Sequence, residues 1–432
     1  MFRRLLKKIS GQELSIMMVG QGVDTLMKFL AFVLYTRALS PREWGVVASV
    51  SAVSYLAGSL THFGIDTSVV SLGSKAFGQK KLAELKTYCR TGFLIHLVLS
   101  SLCAALCLLA SPWIEARMYP DASNLPLLVI GCLAIPVFRL SVYGQAVLRV
   151  HQRFRHYTLA SVSGTIVIFV AVLILNAGQR LTVLNVLILL LLVGPAVKLT
   201  LSCFGPMFSI YRLEAVPRST IRELLHFGKW VWGTSVTENG VRRLNVLFLQ
   251  SLAGDVAAGL FDMALRYARF FSLLFSPVRK YLFPKFNALT TMEDLLGMLR
   301  KTYLYLLWVL LLIPIAFIAA KPVITGLHGA EWKDSATLYY GLLIANIIIL
   351  FSKPLVYTIF TFQRPHIQTY IHLSAFILFI TLAPWLITQL GPMGSVYGLL
   401  AIAILKLTLL LIVVRRLLKR NEIAGANSAL VD

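Results

Sequence analysis

Long apolar runs recur along the whole chain, and short polar segments separate them. A run of about 18 or more apolar residues is long enough to cross a bilayer as a helix. The pattern therefore predicts an all-α integral membrane protein. We predict twelve transmembrane helices, six in each half of the chain, at 14–36, 44–66, 91–114, 125–147, 157–177, 181–203, 229–250, 256–278, 302–320, 336–360, 367–389 and 394–413.

The first residues follow a different pattern. Over residues 2–9, apolar and basic side chains fall on opposite faces of a helix, which is typical of a helix lying on an anionic membrane surface. Ser10 and Glu13 have the spacing of a capping box, which predicts that the first span begins there. Thr220 and Glu223 repeat this spacing in the middle of the chain.

Composition narrows the class of protein. Of the 432 residues, 58% are hydrophobic and 14% are charged, and the mean hydropathy is +0.78. Soluble domains carry about 25% charged residues, and twelve spans leave no room for a soluble domain of useful size. Secreted, disulfide-stapled and nucleic-acid-binding proteins are excluded, so the net charge of +23 belongs to a membrane protein.

The basic residues are distributed asymmetrically between the connections. With the amino terminus in the cytoplasm, the inner segments hold 25 Lys and Arg residues and the outer loops hold 6. Cytoplasmic loops carry the excess of Lys and Arg, so we predict that both termini are cytoplasmic. The longest outer loop, 321–335, is too short to hold an extracytoplasmic active site, and we predict that the protein is not an enzyme.

The sequence contains no motif for metal or cofactor chemistry. Its five cysteines form no CxxC pair and lie mostly in apolar runs, as small thiols that pack between helices do. It has no HExxH motif and no ATPase signature. We therefore predict no cofactor and no metal, and transport that draws on an H⁺ or Na⁺ gradient or on substrate flux.

The two halves of the chain form an internal repeat. Six helices per half give both halves the same orientation, so they are parallel repeats, and transporters built this way bind substrate between the repeats near mid-membrane. We predict an amino-terminal lobe at 1–208, a cytoplasmic linker at 209–228, and a carboxy-terminal lobe with a cytoplasmic tail at 229–432. At an offset of 214 residues, rare polar residues of the spans align in pairs: Asp24 with Glu238, Lys28 with Arg242, Arg139 with Lys353, and Tyr143 with Tyr357.

Three acids inside the predicted spans are candidate ion-binding groups. A charge near the bilayer centre costs at least ~2.5–3.5 kcal/mol, so it normally has a partner or a function. Each acid stands four residues before a base, the spacing at which helical side chains meet. The pairs either neutralise each other or contain a carboxylate that binds H⁺ or Na⁺ and couples transport to an ion. These carboxylates are Asp24, Glu238 and Asp262.

The other charges inside the spans are basic. Arg139 and Lys353 have no acid on the same helix turn and occupy equivalent positions in the two halves. A cavity with surplus positive charge selects anions, and arginine binds phosphate through its planar fork. Arg243, Arg269 and Lys406 have a second interpretation: their long side chains extend from the ends of the spans to the membrane surface. The candidate substrate-binding residues are Lys28, Arg139, Arg242, Arg266, Arg269 and Lys353.

Four segments resemble the Wzx-type polysaccharide flippases. The first, 32–53, contains the run from Arg37 through Pro41 to Gly45, which resembles the family's first-loop pattern with Trp44 in place of the usual tyrosine. The others resemble the start of helix seven, helix eight with its Phe-Pro end, and the outer loop that leads into helix ten. They lie at 225–235, 258–286 and 326–343.

The resemblance implies the fold of the multidrug/oligosaccharidyl-lipid/polysaccharide exporter superfamily, with two six-helix bundles arranged in a V. It implies a flippase that moves an undecaprenyl-pyrophosphate-linked oligosaccharide from the inner to the outer leaflet of a bacterial inner membrane. Such a glycan serves the synthesis of a surface polysaccharide such as O-antigen or exopolysaccharide. The partners implied are this lipid-linked oligosaccharide, a polysaccharide polymerase and a chain-length regulator.

Three other functions remain open from the residues. A multidrug or ion antiporter of the same superfamily would carry acids in excess inside its lobes. Another lipid-linked exporter, such as a lipid II flippase, usually has two more helices than this length accommodates. A membrane polysaccharide polymerase or ligase would need a large outer loop with catalytic Arg or His.

Overall fold

A computed structural model describes residues 2–120, 123–203, 216–273, 286, 291–362 and 364–419, and these residues are almost entirely helical. The chain divides into two compact units, Met1–Asn239 and Gly240–Asp432. The helices before residue 204 are α1 (Phe2–Ala38), α2 (Pro41–Leu60), α3 (Ile65–Gly78), α4 (Leu82–Met118), α5 (Leu125–Val150), α6 (Phe154–Ala177), α7 (Val183–Leu187), a π-helix (Ile188–Val193) and α8 (Gly194–Cys203).

The later helices begin with α9, which runs from Arg218 to Leu273 and is interrupted at Gly254, where φ is +84°. The others are α10 (Met292–Leu310), α11 (Leu312–His328), a 3-10 turn (Ala330–Trp332), α12 (Lys333–Thr361), α13 (Pro365–Leu390) and α14 (Pro392–Lys419). Residues 209–215 of the predicted linker, the Phe-Pro pair at 283–284 and the tail beyond 419 lie outside the described residues.

Helix α1 joins two predicted elements. The amphipathic segment at 2–9 continues into the first span without interruption, so Ser10 lies inside a helix and does not begin one. The prediction of a cap at Ser10 is wrong, because the preceding basic and apolar residues are compatible with a helix and no proline precedes the span.

Helix α2 has the start signal that α1 lacks. Ser40 Oγ accepts a hydrogen bond from the Glu43 backbone N–H, and Glu43 Oε2 accepts one from the Ser40 N–H at 2.9 Å. Pro41 occupies the first turn, where its missing N–H costs nothing. The helix ends at Leu60, so the span predicted at 44–66 is in fact two helices, α2 and α3, bent by 47°.

The predicted linker is also partly helical. Helix α9 begins at Arg218, directly after Pro217, and its first residues pack into unit 1, where Leu224 is fully buried with Ile65 and Leu85. The capping box predicted at Thr220 is wrong: the carboxylate of Glu223 accepts a hydrogen bond from the Tyr88 hydroxyl at 3.0 Å. Because the start of α9 packs into unit 1, residues 229–239 also belong to this unit. The sequence predicted them as the start of the second lobe.

The helices of the two units pack in equivalent pairs. In unit 1, α6 packs against α1 and α8, and α5 packs against α8. In unit 2, α13 packs against α14 and against residues 241–248 of α9, and α12 packs against α14. Residues that are 214 positions apart in the sequence lie on these corresponding helices. The internal repeat therefore extends from the sequence to the packing within each unit.

Among the described residues, nine helices are long and apolar enough to cross a membrane, or ten if the bent pair α2 and α3 forms one span. Many large apolar side chains are exposed on these helices, such as Leu109 and Ile318, as expected of surfaces that face lipid. The protein is therefore a multi-pass membrane protein.

Three aromatic residues near the ends of predicted spans are buried within their units. Tryptophan and tyrosine at such positions often anchor a span at the membrane surface. Trp44 and Trp332 are instead fully buried, and Tyr339 is 6% exposed. Trp44 packs against Phe32 and Tyr35 at ring distances of 5.4 and 6.0 Å.

Candidate functional site

The connection between α2 and α3, residues 61–64, contains two successive residues with positive φ, and we refer to it as the α2–α3 break. Phe63 and Gly64 both have positive φ, at +42° and +70°. A bulky residue rarely adopts this conformation unless its surroundings hold it there. Non-helical backbone at membrane depth requires protein groups that satisfy its hydrogen bonds.

Helix α9 supplies those groups. The Trp232 ring stacks on Phe63 at 4.8 Å, and its Nε1 donates a hydrogen bond to the Leu60 carbonyl at 3.1 Å. Ser68 Oγ donates to the Leu224 carbonyl at 2.8 Å. The start of α9 therefore caps the end of α2 and holds the start of α3.

Glycine is required where the two segments meet. A Cβ on Gly64 would lie 2.2 Å from the Gly228 carbonyl oxygen, and a Cβ on Gly228 would lie 2.4 Å from the Phe63 carbonyl oxygen. Both positions face backbone, which cannot move aside as a flexible side chain can. The break thus depends on a backbone contact that only a pair of glycines allows.

Directly after the break, three charged or titratable side chains from three helices meet. Arg139 Nη2 on α5 donates to Asp66 Oδ2 on α3 at 2.8 Å. His96 Nε2 on α4 lies 3.0 Å from Asp66 Oδ1, and His96 Nδ1 lies 3.5 Å from Arg139 Nη2. The His96 side chain is fully buried, and those of Arg139 and Asp66 are 6% and 19% exposed. We call these residues, with neighbouring His62, the acid–base cluster.

The acid–base cluster leaves hydrogen-bonding capacity unused. Asp66 Oδ1, His96 Nε2 and Arg139 Nε are buried and have no well-aligned hydrogen-bond partner among the described residues. The first two face each other at 3.0 Å, but their angle is not that of a hydrogen bond. Buried polar atoms are rarely left unsatisfied, so this arrangement has a functional or conformational reason.

Arg139 therefore has an acid that the sequence did not reveal. The sequence places no acid on the same helix turn as Arg139, but Asp66 of α3 is its partner. The equivalent Lys353 lies on α12 and is partly buried. A role of either residue in substrate binding stays a prediction.

The acid–base pair near the start of unit 1 forms as the spacing predicts. Lys28 Nζ lies 2.5 Å from Asp24 Oδ2, one helical turn away. The other oxygen, Asp24 Oδ1, accepts a hydrogen bond from Thr165 of α6 at 2.5 Å. Both carboxylate oxygens thus have partners, and the pair fixes α1 against α6.

In unit 2, several basic side chains of α9 lie near the carboxylate of Asp262. Arg266 Nε donates to Asp262 Oδ2 at 2.7 Å, and Arg243 and Arg269 are further electrostatic neighbours of this carboxylate. Arg269 also interacts electrostatically with Arg242. The side chain of Asp262 is 8% exposed and that of Arg266 is 42% exposed. We call Arg242, Arg243, Arg266 and Arg269, with Asp262, the arginine cluster.

The structure thus brings three predicted substrate-binding residues together, namely Arg242, Arg266 and Arg269. Glu238 and Arg242 lie one turn apart on α9, and both are exposed. The sequence missed Asp66, which stands at the very end of a predicted span. Gly64, two residues earlier, was the available signal, because a glycine before the end of an apolar run marks a possible bend.

A model of a known protein family matches most of the chain. The family is described as polysaccharide biosynthesis protein, and the match covers residues 34–337. The chain belongs to this family. Asp66, His96, Arg139 and the arginine cluster lie inside the matched residues, whereas Lys28 and Lys353 lie outside them.

The fold of the chain is similar to that of solved transporters and a flippase. An inward-facing multidrug resistance MATE family transporter of the MOP superfamily superposes with a TM-score of 0.75 at 14% identity, over 94% of this chain and 99% of the other. An outward-facing MATE transporter gives 0.63 at 15% identity, over 94% of each chain. The lipid II flippase MurJ, in an inward closed conformation, gives 0.70 at 13% identity, over 92% of this chain and 87% of the other.

These comparisons confirm the predicted all-α membrane fold and the resemblance to the exporter superfamily, and the count of twelve transmembrane helices stays a prediction. At such identities the structural similarity concerns the fold alone. No curated protein sequence matches the chain at a significant level.

Proposed function

We propose that the protein is a flippase that moves an undecaprenyl-pyrophosphate-linked oligosaccharide from the cytoplasmic to the outer leaflet of a bacterial inner membrane. Transport proceeds by alternating access coupled to an ion, and it supplies glycan units for a surface polysaccharide. Membership of the polysaccharide biosynthesis protein family and the transporter and flippase fold support this proposal.

The arginine cluster is the observation that carries the proposal. Arg243, Arg266 and Arg269 are electrostatic neighbours of the Asp262 carboxylate, and Arg242 is a neighbour of Arg269, so four guanidinium groups lie close together. Arginine binds phosphate oxygens through two parallel hydrogen bonds, and a pyrophosphate offers several such oxygens. A group of neighbouring arginines is thus matched to a diphosphate headgroup inside an apolar protein.

The neighbouring arginines disfavour a multidrug antiporter, although the fold is shared with MATE transporters. A site for a cationic drug requires acids that can pair with the substrate, whereas guanidinium groups repel it. Asp262, the acid of the arginine cluster, has Arg266 as a partner.

Lys28 and Lys353 complete the proposed contacts to the substrate, together with Arg139 once it is released from Asp66. Asp24, Glu238 and Asp262 remain proposed ion-coupling carboxylates, with H⁺ or Na⁺ as the ion. We place both termini in the cytoplasm, and we propose a polysaccharide polymerase and a chain-length regulator as partners that use the product.

Transport in proteoliposomes tests the proposal. The probe is a fluorescent undecaprenyl-pyrophosphate-linked sugar, and its arrival in the outer leaflet is followed with a membrane-impermeant quencher. We expect wild-type protein to move this probe and to leave the corresponding undecaprenol-linked sugar, which lacks the pyrophosphate, unmoved.

Arg266→Gln should lower the transport rate about tenfold, because one charge-assisted contact to phosphate is worth about 1.5–3 kcal/mol. Arg266→Lys should retain part of the rate. Arg416→Gln, an exposed arginine in the last turn of α14, is the matched control and should transport at the wild-type rate. Equal transport of both probes, or an Arg266→Gln rate equal to that of the control, would contradict the proposal.

A further inference from the structure

The acid–base cluster has the composition of a group that changes charge. It contains one carboxylate, Asp66, one guanidinium, Arg139, and two imidazoles, His62 and His96. With both imidazoles neutral, the carboxylate and the guanidinium cancel, and the cluster has no net charge. One added proton would give the cluster a charge of +1 in a buried position. A buried charge changes which side chains pair with one another, and so it changes the contacts between the helices that carry them.

The geometry shows where this proton would bind. A neutral imidazole has one nitrogen that donates and one that accepts. His96 Nε2 faces the carboxylate of Asp66 at 3.0 Å and so takes the donor role, which leaves Nδ1 as the acceptor towards Arg139 Nη2 at 3.5 Å. A proton on Nδ1 removes the only acceptor that His96 offers to Arg139 and places two donors face to face.

We infer that His96 and Asp66 form a proton-binding site in unit 1, and that binding of the proton transfers Asp66 from Arg139 to His96. This inference rests on the proposed function, since it names the coupling ion as H⁺ and assigns its site. The proton forms the Nδ1–H bond of His96, and no bond in the protein is broken other than hydrogen bonds. Asp66 Oδ1 and His96 Nε2 then align, and Arg139 loses its hydrogen bond to Asp66 Oδ2.

Because α3 follows the α2–α3 break, a change in the hydrogen-bond partner of Asp66 can move this helix. Helix α3 has 14 residues, so it is about 21 Å long and shorter than the bilayer core of about 30 Å. Asp66 lies in its first turn, two residues after Gly64, and Arg139 links it to α5. Release of Arg139 therefore loosens α3 from α5 at the position where the backbone already departs from the helix.

No other described charge faces the site. The groups that interact electrostatically with Asp66, His96 and His62 are these three residues and Arg139. His62 Nδ1 already accepts a hydrogen bond from the Gly64 N–H at 2.8 Å. Helix α5 also places the Tyr143 ring 4.9 Å from that of His96, with its hydroxyl donating to the Cys89 carbonyl. Helix α9 contributes the Trp232 ring and the Leu224 carbonyl, and α2 contributes the Leu60 carbonyl.

Hydrogen exchange of the full-length protein in lipid nanodiscs tests the site without any substrate. We expect exchange of peptides from α3, corrected for the intrinsic effect of pH, to increase about fivefold at pH 5 relative to pH 8. His96→Gln should abolish this increase, because glutamine has no titratable nitrogen. His156→Gln, an exposed histidine at the start of α6, is the matched control and should keep it. An increase that persists in His96→Gln would overturn the inference.

A second variant covers the case in which His96→Gln does not fold. Asp66→Asn combined with Arg139→Gln removes the acceptor that attracts the protonated imidazole and leaves no buried charge unpaired, and it should also abolish the response of α3 to pH. In proteoliposomes, the wild-type rate should depend on an imposed pH gradient, and the rates of the His96 and Asp66 variants should not. If wild-type protein moves no probe at any pH, the proposed function fails, and the exchange measurement still decides whether the proton site exists.

Discussion

At the scale of single residues, Asp66 determines the cost of removing Arg139. Its carboxylate is mostly buried, and the guanidinium is its hydrogen-bonding partner. When one member of a buried ion pair is removed, the remaining charge is left without compensation, which costs about 3–5 kcal/mol. The partial exposure of Asp66 places the expected cost at the lower end of this range.

We therefore expect Arg139→Ala to lower the apparent Tm of the purified protein in detergent and to reduce its yield. Asp66→Asn combined with Arg139→Gln should recover most of the loss, since two neutral amides leave no buried charge unpaired. A single variant with the Tm of wild-type protein would show that Asp66 is compensated by other groups.

Residue pairs differ in how far the sequence determines them. Asp24 with Lys28 and Asp262 with Arg266 were predictable, because helical spacing alone brings side chains four residues apart into contact. Asp66 and Arg139 are 73 residues apart, and they meet only because α3 packs on α5 after the bend. Contacts of this kind depend on tertiary packing, which the pattern of apolar residues does not encode.

At the scale of helices, Trp232 is the contact on which the end of α2 depends. Its indole N–H satisfies the Leu60 carbonyl, one of the groups left without a helical partner where α2 stops. Trp232→Phe keeps an aromatic ring on Phe63 and removes only this donor. We expect a loss of about 1 kcal/mol and faster hydrogen exchange at residues 58–66.

The exposed Trp113 on α4 offers the matched control, since Trp113→Phe changes the same chemical group in a side chain that is 72% exposed. Its Tm and exchange should equal those of wild-type protein. Unchanged exchange at 58–66 in Trp232→Phe would mean that the aromatic stacking alone holds the break.

The positions of the helices were largely predictable, and their ends were not. Within the described residues, the predicted spans are almost entirely helical, because a long apolar run in a membrane must satisfy its backbone as a helix. The capping boxes at Ser10 and Thr220 failed because the same short motif occurs inside helices. The sequence did not predict the bend before Asp66, because the segments on its two sides are equally apolar. Only Gly64 and the contacts with the distant α9 mark its position.

At the scale of the whole molecule, the distribution of Lys and Arg predicts which connections face the cytoplasm. Cysteines introduced at positions 120, 215, 330 and 425 can be tested with an impermeant thiol reagent on intact cells, in a background without native cysteines. We expect labelling at 120 and 330 and none at 215 and 425. Labelling at 215 would contradict the parallel arrangement of the two halves.

Unit 1 extends to Asn239, and the residues that complete it come late in the chain. Leu60 and Trp232 are 172 residues apart, so at about 5–20 residues per second the ribosome adds the tryptophan about 9–34 s after the leucine. During that interval the Leu60 carbonyl and the bend at Gly64 are in the membrane without the groups that later hold them. The nascent first unit thus stays unfinished until synthesis reaches Trp232, close to its last residue, and this period is when membrane proteases and chaperones can recognise it.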